Sequence, residues 1–457
     1  MGRTILVDEH VQKYLEKLSS LGSWHIGLLI GQFTHQKNYV LHATVTPDPV
    51  EDEVSDMEQE TPAPKKTSSK PKSLEELNDQ WLATHAKQVT RMLPGGLDVL
   101  GVFAVAPLQM LSRSEQKLRQ MLFAIQKLLI KAQLIFTKDF SINERVIFQM
   151  CSVTKKYTCR TLDILNLKSS LQPADWKCQQ ITDNWNKLET TVAIDLPIII
   201  TKQMKSSNFI KKILTGIQPF CDSVWNGMVT IGSQLRNSEQ QLSSKPSCEN
   251  QKIQLQNKSL NLKIYKVNLL LPHEDNQSAV AITECSSSLW IRGVMTICAY
   301  VNPKATVQEG IQVVKCDIIR SLVSRCELLC EDIDVIEEDA ATKTVFDTPV
   351  RVFGTLPDRP FQFCDYMFQD EEIEETINRF QELLDVTLTE PCLQFNCERI
   401  PVDDDIEKRQ KSSAFQSTSN VPIYLSKTST AKYYMSAVVA AIVAATASIS
   451  FFFYDKV

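Results

Sequence analysis

Residues 435–453, MSAVVAAIVAATASISFFF, carry no charge, and only Tyr454, Asp455, Lys456 and Val457 follow them. At ~1.5 Å per residue the run makes a helix of about 28 Å, enough to cross the hydrocarbon core of a bilayer. Tyr433, Tyr434 and Tyr454 stand at its edges, where amphipathic rings settle at the membrane interface. A buried core helix is the alternative, and it needs protein on every side, which four trailing residues cannot supply. The expectation is a transmembrane tail anchor over 433–454, with the lipid bilayer as a partner and nearly all the mass on one side.

The other end indicates which side. Residues 1–20 are interrupted by Asp8, Glu9, Lys13, Glu16 and Lys17, so they lack the apolar stretch of a secretory signal. Their spacing suits an amphipathic helix with Val11, Leu15 and Leu18 on one face. Leu6 stands where a myristoylation motif wants Ser or Thr. Lys427 and Lys432 precede the apolar run, in the sense of positive-inside orientation. A cytosolic body follows, and the near-neutral tail favours the endoplasmic reticulum membrane over the mitochondrial outer membrane. The thirteen cysteines are scattered without a CxxC pair, which fits a reducing compartment. The sequons at Asn257 and Asn276 would there go unused.

At 457 residues and 43% apolar composition the chain can bury two cores, and its net charge of −5 with no basic stripe argues against nucleic acid as a partner. The fold class read from the pattern is α/β (α+β). A first domain spans 1–200, with a polar insertion at 46–73 whose prolines and charges leave little to bury. It carries strands over 25–31, 39–46, 97–106, 145–153, 158–163 and 190–200. One helix over 74–92 is capped by Ser73 and stopped by Pro94-Gly95-Gly96, and a second carries the stripe Leu118, Leu122, Ile125 and Leu129. The segment 201–259 is ambiguous: 209–215 and 220–230 suit helix or strand. A second α+β domain over 260–399 holds strands at 260–271, 278–285, 289–300 and 350–356, with helices at 306–331 and 371–386. The polar, Ser/Thr-rich 400–432 is a flexible linker to the span.

Helix, GLLIG strand, strand, helix and buried strand, in that order, resemble the MPN domain of JAMM-type metalloproteases and their inactive relatives. An active member needs a Glu three residues before the strand glycine, His-x-His-Pro after the buried strand, then Ser and Asp, because those groups hold zinc and activate its water. In this chain Trp24 takes the Glu position. Ala104 and Ala106 take both histidine positions, Ser114 keeps the serine, and Lys117 replaces the aspartate. Methyl groups offer no lone pair and an ammonium repels a cation. The resemblance therefore implies an inactive scaffold, with no catalytic residues, no metal site and no cofactor. No nucleophile elbow or phosphate loop occurs elsewhere, and His10, His25, His35, His42, His85 and His273 suit structural roles.

The segments MGRTILVDE, GLLIGQ, THAKQVTRMLPGGLDVLGVF, CRTLDI, SSLQPADWKCQ, RVFGTLP and FCDYMF, with the terminal run, resemble the odorant-response-abnormal-four family along nearly the whole chain. That resemblance implies a non-enzymatic endoplasmic reticulum membrane protein that assists folding or trafficking of seven-helix receptors, odorant receptors among them. It also implies partnership with the cysteine protease specific for the ubiquitin-fold modifier. The apolar segment 97–107 is the candidate contact surface for that protease, with plain core as its alternative. A second possibility acts inside the bilayer, where Ala437, Ala441, Ala444 and Ser448 form a small-residue stripe that lets another helix approach.

Overall fold

The structure, a computed structural model, describes residues 2–48, 73–135, 142–201, 209–244, 249–255, 258–272, 285–333 and 344–398. The expected span, its stripe of Ala437, Ala441, Ala444 and Ser448, the linker and most of the insertion lie outside the described residues. Among the described residues no helix is long and apolar enough to cross a membrane. Helices and strands are both present, with runs of consecutive strands between the helices, as the α+β reading expects.

The first sheet comprises β1 (Thr4–Val7), β2 (His25–Gln32), β3 (Lys37–Val45), β4 (Asp98–Ala106), β5 (Glu144–Cys151), β6 (Tyr157–Asp163), β7 (Gln172–Pro173) and β8 (Asp175–Cys178). Its spatial order is β7-β6-β5-β4-β2-β3-β1-β8. Helices α1 (Glu9–Leu18), α2 (Asp79–Arg91) and α3 (Leu108–Lys131) belong to it. β4 is central, antiparallel to β2 and parallel to β5, and is buried on both faces, which explains its unbroken apolar sequence. The α3 stripe Leu118, Leu122, Ile125 and Leu129 is buried as the period predicts. The cap of α2 differs from expectation. Ser73 leads only a short 3-10 turn at Leu74–Glu76, Leu77 is extended, and Asn78 Oδ1 accepts the Gln80 N–H at 2.9 Å.

The second sheet holds β9 (Trp185–Thr201), β10 (Met228–Ile231), β11 (Glu249–Leu255), β12 (Lys258–Leu270), β13 (Cys285–Val301) and β14 (Thr344–Asp347), with α4 (Phe209–Asn226) and α5 (Val307–Ile333). Its order is β10-β12-β9-β13-β14, with β11 paired to β12. Its longest pairing is antiparallel β9 with β13, so a strand read from sequence as the end of the first region builds the second sheet. The ambiguous 209–230 resolves into α4, continuous through Pro219, and β10. A third sheet, β15 (Val350–Thr355), β16 (Gln362–Met367) and β17 (Leu393–Gln394), carries α6 (Ile373–Leu384).

The first two sheets meet at Pro94-Gly95-Gly96. Gly95 forms an isolated parallel bridge with Ala299: its N–H donates to Cys298 O at 2.9 Å, and its carbonyl accepts from Tyr300 N at 2.8 Å. A Cβ on Gly95 would lie 2.5 Å from Val313 O, so only glycine permits this approach. Gln32 finishes the seam. Its Nε2 donates to Tyr300 O (2.9 Å) and Gly96 O (3.2 Å), and its Oε1 accepts from the Asn302 backbone and side chain (2.9 and 3.0 Å).

Candidate functional site

The β2–β4 register pairs Ile26 with Ala104 and His25 with Val105, which sets Trp24 at the level of Ala106. On the other side of β4, Ala104 faces Gln149 and Ala106 faces Cys151 of β5. Both alanines are fully buried in the main apolar core, and Trp24 packs against the same core. Ser114, fully buried on α3, donates to Leu111 O at 3.0 Å, and Gln149 Nε2 reaches Leu111 O at 3.1 Å and Ser114 Oγ at 3.5 Å. Ala104, Ala106 and Ser114 thus share one neighbourhood around Gln149. Lys117, one turn further along α3, has its ammonium 2.9 Å from Asp79 at the start of α2, where it ties the two helices together.

What remains at this end of β4 is packing. Among the described residues no group of three or more His, Cys, Asp or Glu side chains is placed to hold a metal ion. Cys151 lies here, its Sγ accepting the Thr154 N–H at 3.4 Å, and hydrogen bonds from Thr154 pull its thiol below the usual range. The side chain is buried, however, within the core.

The segment offered from sequence as a contact surface does not serve as one. Leu97 and Val99 to Ala106 are buried on both faces, because β4 lies between β2 and β5 with helices over it. Exposure begins immediately beyond. Leu108, the first residue of α3, is 66% exposed, and Val153, in the turn after β5, is 76% exposed. Lys155 of that turn donates to Ser19 Oγ (2.7 Å) and Ser20 Oγ (3.3 Å), which brings the segment holding Leu21, also exposed, alongside. Sequence periodicity cannot single out these residues, since all three sit at element ends.

The histidines that are buried serve the fold. His42 on β3 bonds Leu384 O through Nε2 (2.8 Å) and meets Arg359 at Nδ1 (3.0 Å). His85 on α2 bonds Leu383 O through Nε2 (2.8 Å) and Thr46 Oγ1 through Nδ1 (2.9 Å). Together they satisfy carbonyls left open at the C-terminus of α6. Burial pushes His42 down to about 3 and His85 down to about 4, so both are neutral.

Ion pairs that sequence patterns could not show fill the inner side of α5. Asp317 takes both terminal nitrogens of Arg351 (2.7 and 3.0 Å) and the Cys298 N–H (3.0 Å). Arg325 Nη2 reaches both oxygens of Glu398 (2.7 and 2.8 Å), whose carboxylate also accepts the Arg351 N–H (2.7 Å). Each pair joins elements remote in sequence, so no local pattern announces it.

A mixed α/β body, whose central strand β4 ends in a closed apolar core, is the class that fold and site define. The chain belongs to the Odorant response abnormal 4-like family, whose model matches residues 27–395. It is 34% identical over 396 residues to the Protein odr-4 homolog of Homo sapiens, covering 85% of this chain and 84% of that one. Odorant response abnormal protein 4 of Caenorhabditis elegans is 22% identical over 346 residues, covering 72% and 68%. Among solved structures, the crystal structure of UfSP from C. elegans is similar at a TM-score of 0.42 and 7% identity, covering 84% of this chain and 57% of that chain.

Proposed function

We propose that this protein is a non-enzymatic adaptor of the endoplasmic reticulum membrane, anchored through 433–454 with its body in the cytosol. In this reading it recruits the cysteine protease specific for the ubiquitin-fold modifier and assists folding and trafficking of seven-helix receptors. The observation that carries the reading is the sealed end of β4, where methyl groups occupy the ligand positions and Leu21, Leu108 and Val153 stand exposed at the rim. Apolar side chains exposed in one place are what a protein partner buries. Tethering a bound enzyme to a surface raises its effective concentration without adding a catalytic group. The family resemblance supports the choice of partner and client.

Co-purification of the protease with the full-length chain from detergent extracts tests the docking step. Recovery with the wild type and at least about tenfold less with Leu108→Asp/Val153→Asp is expected, as for loss of a central apolar anchor. Equal recovery from both would refute docking at this end.

The second reading, an intramembrane receptor-export chaperone, rests on the stripe Ala437, Ala441, Ala444 and Ser448. Replacing 435–453 by polyleucine separates the two: the adaptor keeps receptor trafficking, whereas the chaperone loses it.

A further inference from the structure

At the opposite end of β4 lies a cleft of about 170 Å³, open to solvent on one side, between the start of β5, the turn after β2 and the outer face of α5. Val99, Leu129, Val313 and Phe33 give it apolar walls. Its charged groups are Asp98, Arg145, Glu309 and Arg320. Three of these are committed. Arg320 holds Asp98 at 2.5 Å and Leu97 O at 3.0 Å, and Glu309 accepts the Thr306 N–H at 2.8 Å, capping α5.

Arg145 is different. It is only 9% exposed, yet its hydrogen bonds go to neutral acceptors, Ile142 O at 2.6 Å and Gln126 Oε1 at 3.1 Å, and its guanidinium lies over the Phe33 ring at 4.5 Å. The adjacent Glu144 is taken by Arg3 at 2.8 Å. Arg91, Arg320, Arg325 and Arg351 are equally buried and each holds a carboxylate. Among the described residues Arg359 also has no carboxylate within ion-pairing distance, but Asp8 and Asp358 favour its charge, it does not line the cleft, and its donors meet Leu41 O and His42. Among the described residues no carboxylate bonds Arg145 directly; a buried cation without a direct counter-charge is costly, and a bound anion relieves that cost. Burial pushes the Arg145 guanidinium down to about 10, with Asp98 only partly opposing the shift.

We propose that this cleft binds a small organic monocarboxylate with an apolar body, its carboxylate paired with Arg145 and its body against Val99, Leu129 and Val313. The size fits: a cavity of ~150 Å³ lined by apolar side chains holds benzene. One charge fits better than two, because Asp98 and Glu309 repel the second charge of a phosphate dianion.

Ligand-observed NMR on the full-length protein in detergent, with benzoate, benzamide and inorganic phosphate as probes, tests the assignment. Saturable benzoate binding with a Kd of about 1 mM or tighter is expected, a modest efficiency for a ligand of that size. Benzamide and phosphate should bind at least about tenfold more weakly, as should benzoate to Arg145→Gln, the loss expected on removing a charge-assisted hydrogen bond. Val313→Trp, which fills the cleft and leaves Arg145 in place, should abolish binding and decides the matter should Arg145→Gln fail to fold. No saturable benzoate binding to the wild type, unchanged binding to Val313→Trp, or phosphate binding tighter than benzoate would overturn the proposal.

Discussion

The two ends of β4 have been treated in opposite ways. At one end, Ala104 and Ala106 complete a largely apolar interior, and exposure resumes from Pro107 onward. At the other, Asp98 opens onto a charged cleft, and Gly95 and Gln32 lock the first sheet to the second through backbone and amide bonds. A single strand thus carries a face suited to apolar contact at one end and a polar junction at the other. What a side chain can do here depends less on residue type than on which end of the strand places it.

The junction should be the more fragile end. Asp317→Ala strands the fully buried Arg351 beside it, and chemical denaturation should show a loss of about 3–5 kcal/mol, the usual penalty for an orphaned buried charge. A loss below about 1 kcal/mol would mean that the ion pair is replaceable and the contrast between the ends is weak.

Acid sharpens the contrast by loading the body between the ends. His42 and His85 have folded values below the ordinary 6.5, so the unfolded chain binds protons first and stability falls as pH drops from about 6.5 towards 4. The two together should cost roughly 4 kcal/mol between pH 7 and 5, and the paired substitution His42→Gln/His85→Gln should flatten the slope.

At the sealed end, Ala106→His forces a ring into a filled core and should cost about 1–3 kcal/mol. It should bring no stoichiometric zinc, because Trp24 and Lys117 offer no second and third ligand. Smallest of all, Leu108→Asp and Val153→Asp should change folding stability by no more than about 0.5 kcal/mol, since both side chains already face water.

Sequence alone carried far where periodicity is long. The α3 stripe and the doubly buried β4 were both legible, because each repeats a pattern over several residues. Short parallel elements were not: β1 pairs Thr4 with Asp175 of β8 across most of the first region, and four residues hold no period to read. The Pro94-Gly95-Gly96 signal was legible as a helix stop, but not as the seam between sheets, since its partners Ala299 and Tyr300 lie some two hundred positions away. The alanines at 104 and 106 read from sequence as part of an apolar buried strand, whereas the exposed rim beyond them required coordinates. Arg145 reads as an ordinary strand residue until its neighbours are placed.

Hydrogen exchange on the full-length chain, with and without the modifier protease, tests most directly whether the sealed end of β4 is the docking face. The account predicts slowed exchange at 107–113 and 152–156, with the second sheet's edge strands β10 and β14 unchanged. Protection of those edge strands, with 107–113 and 152–156 exchanging as freely as in the isolated protein, would contradict it.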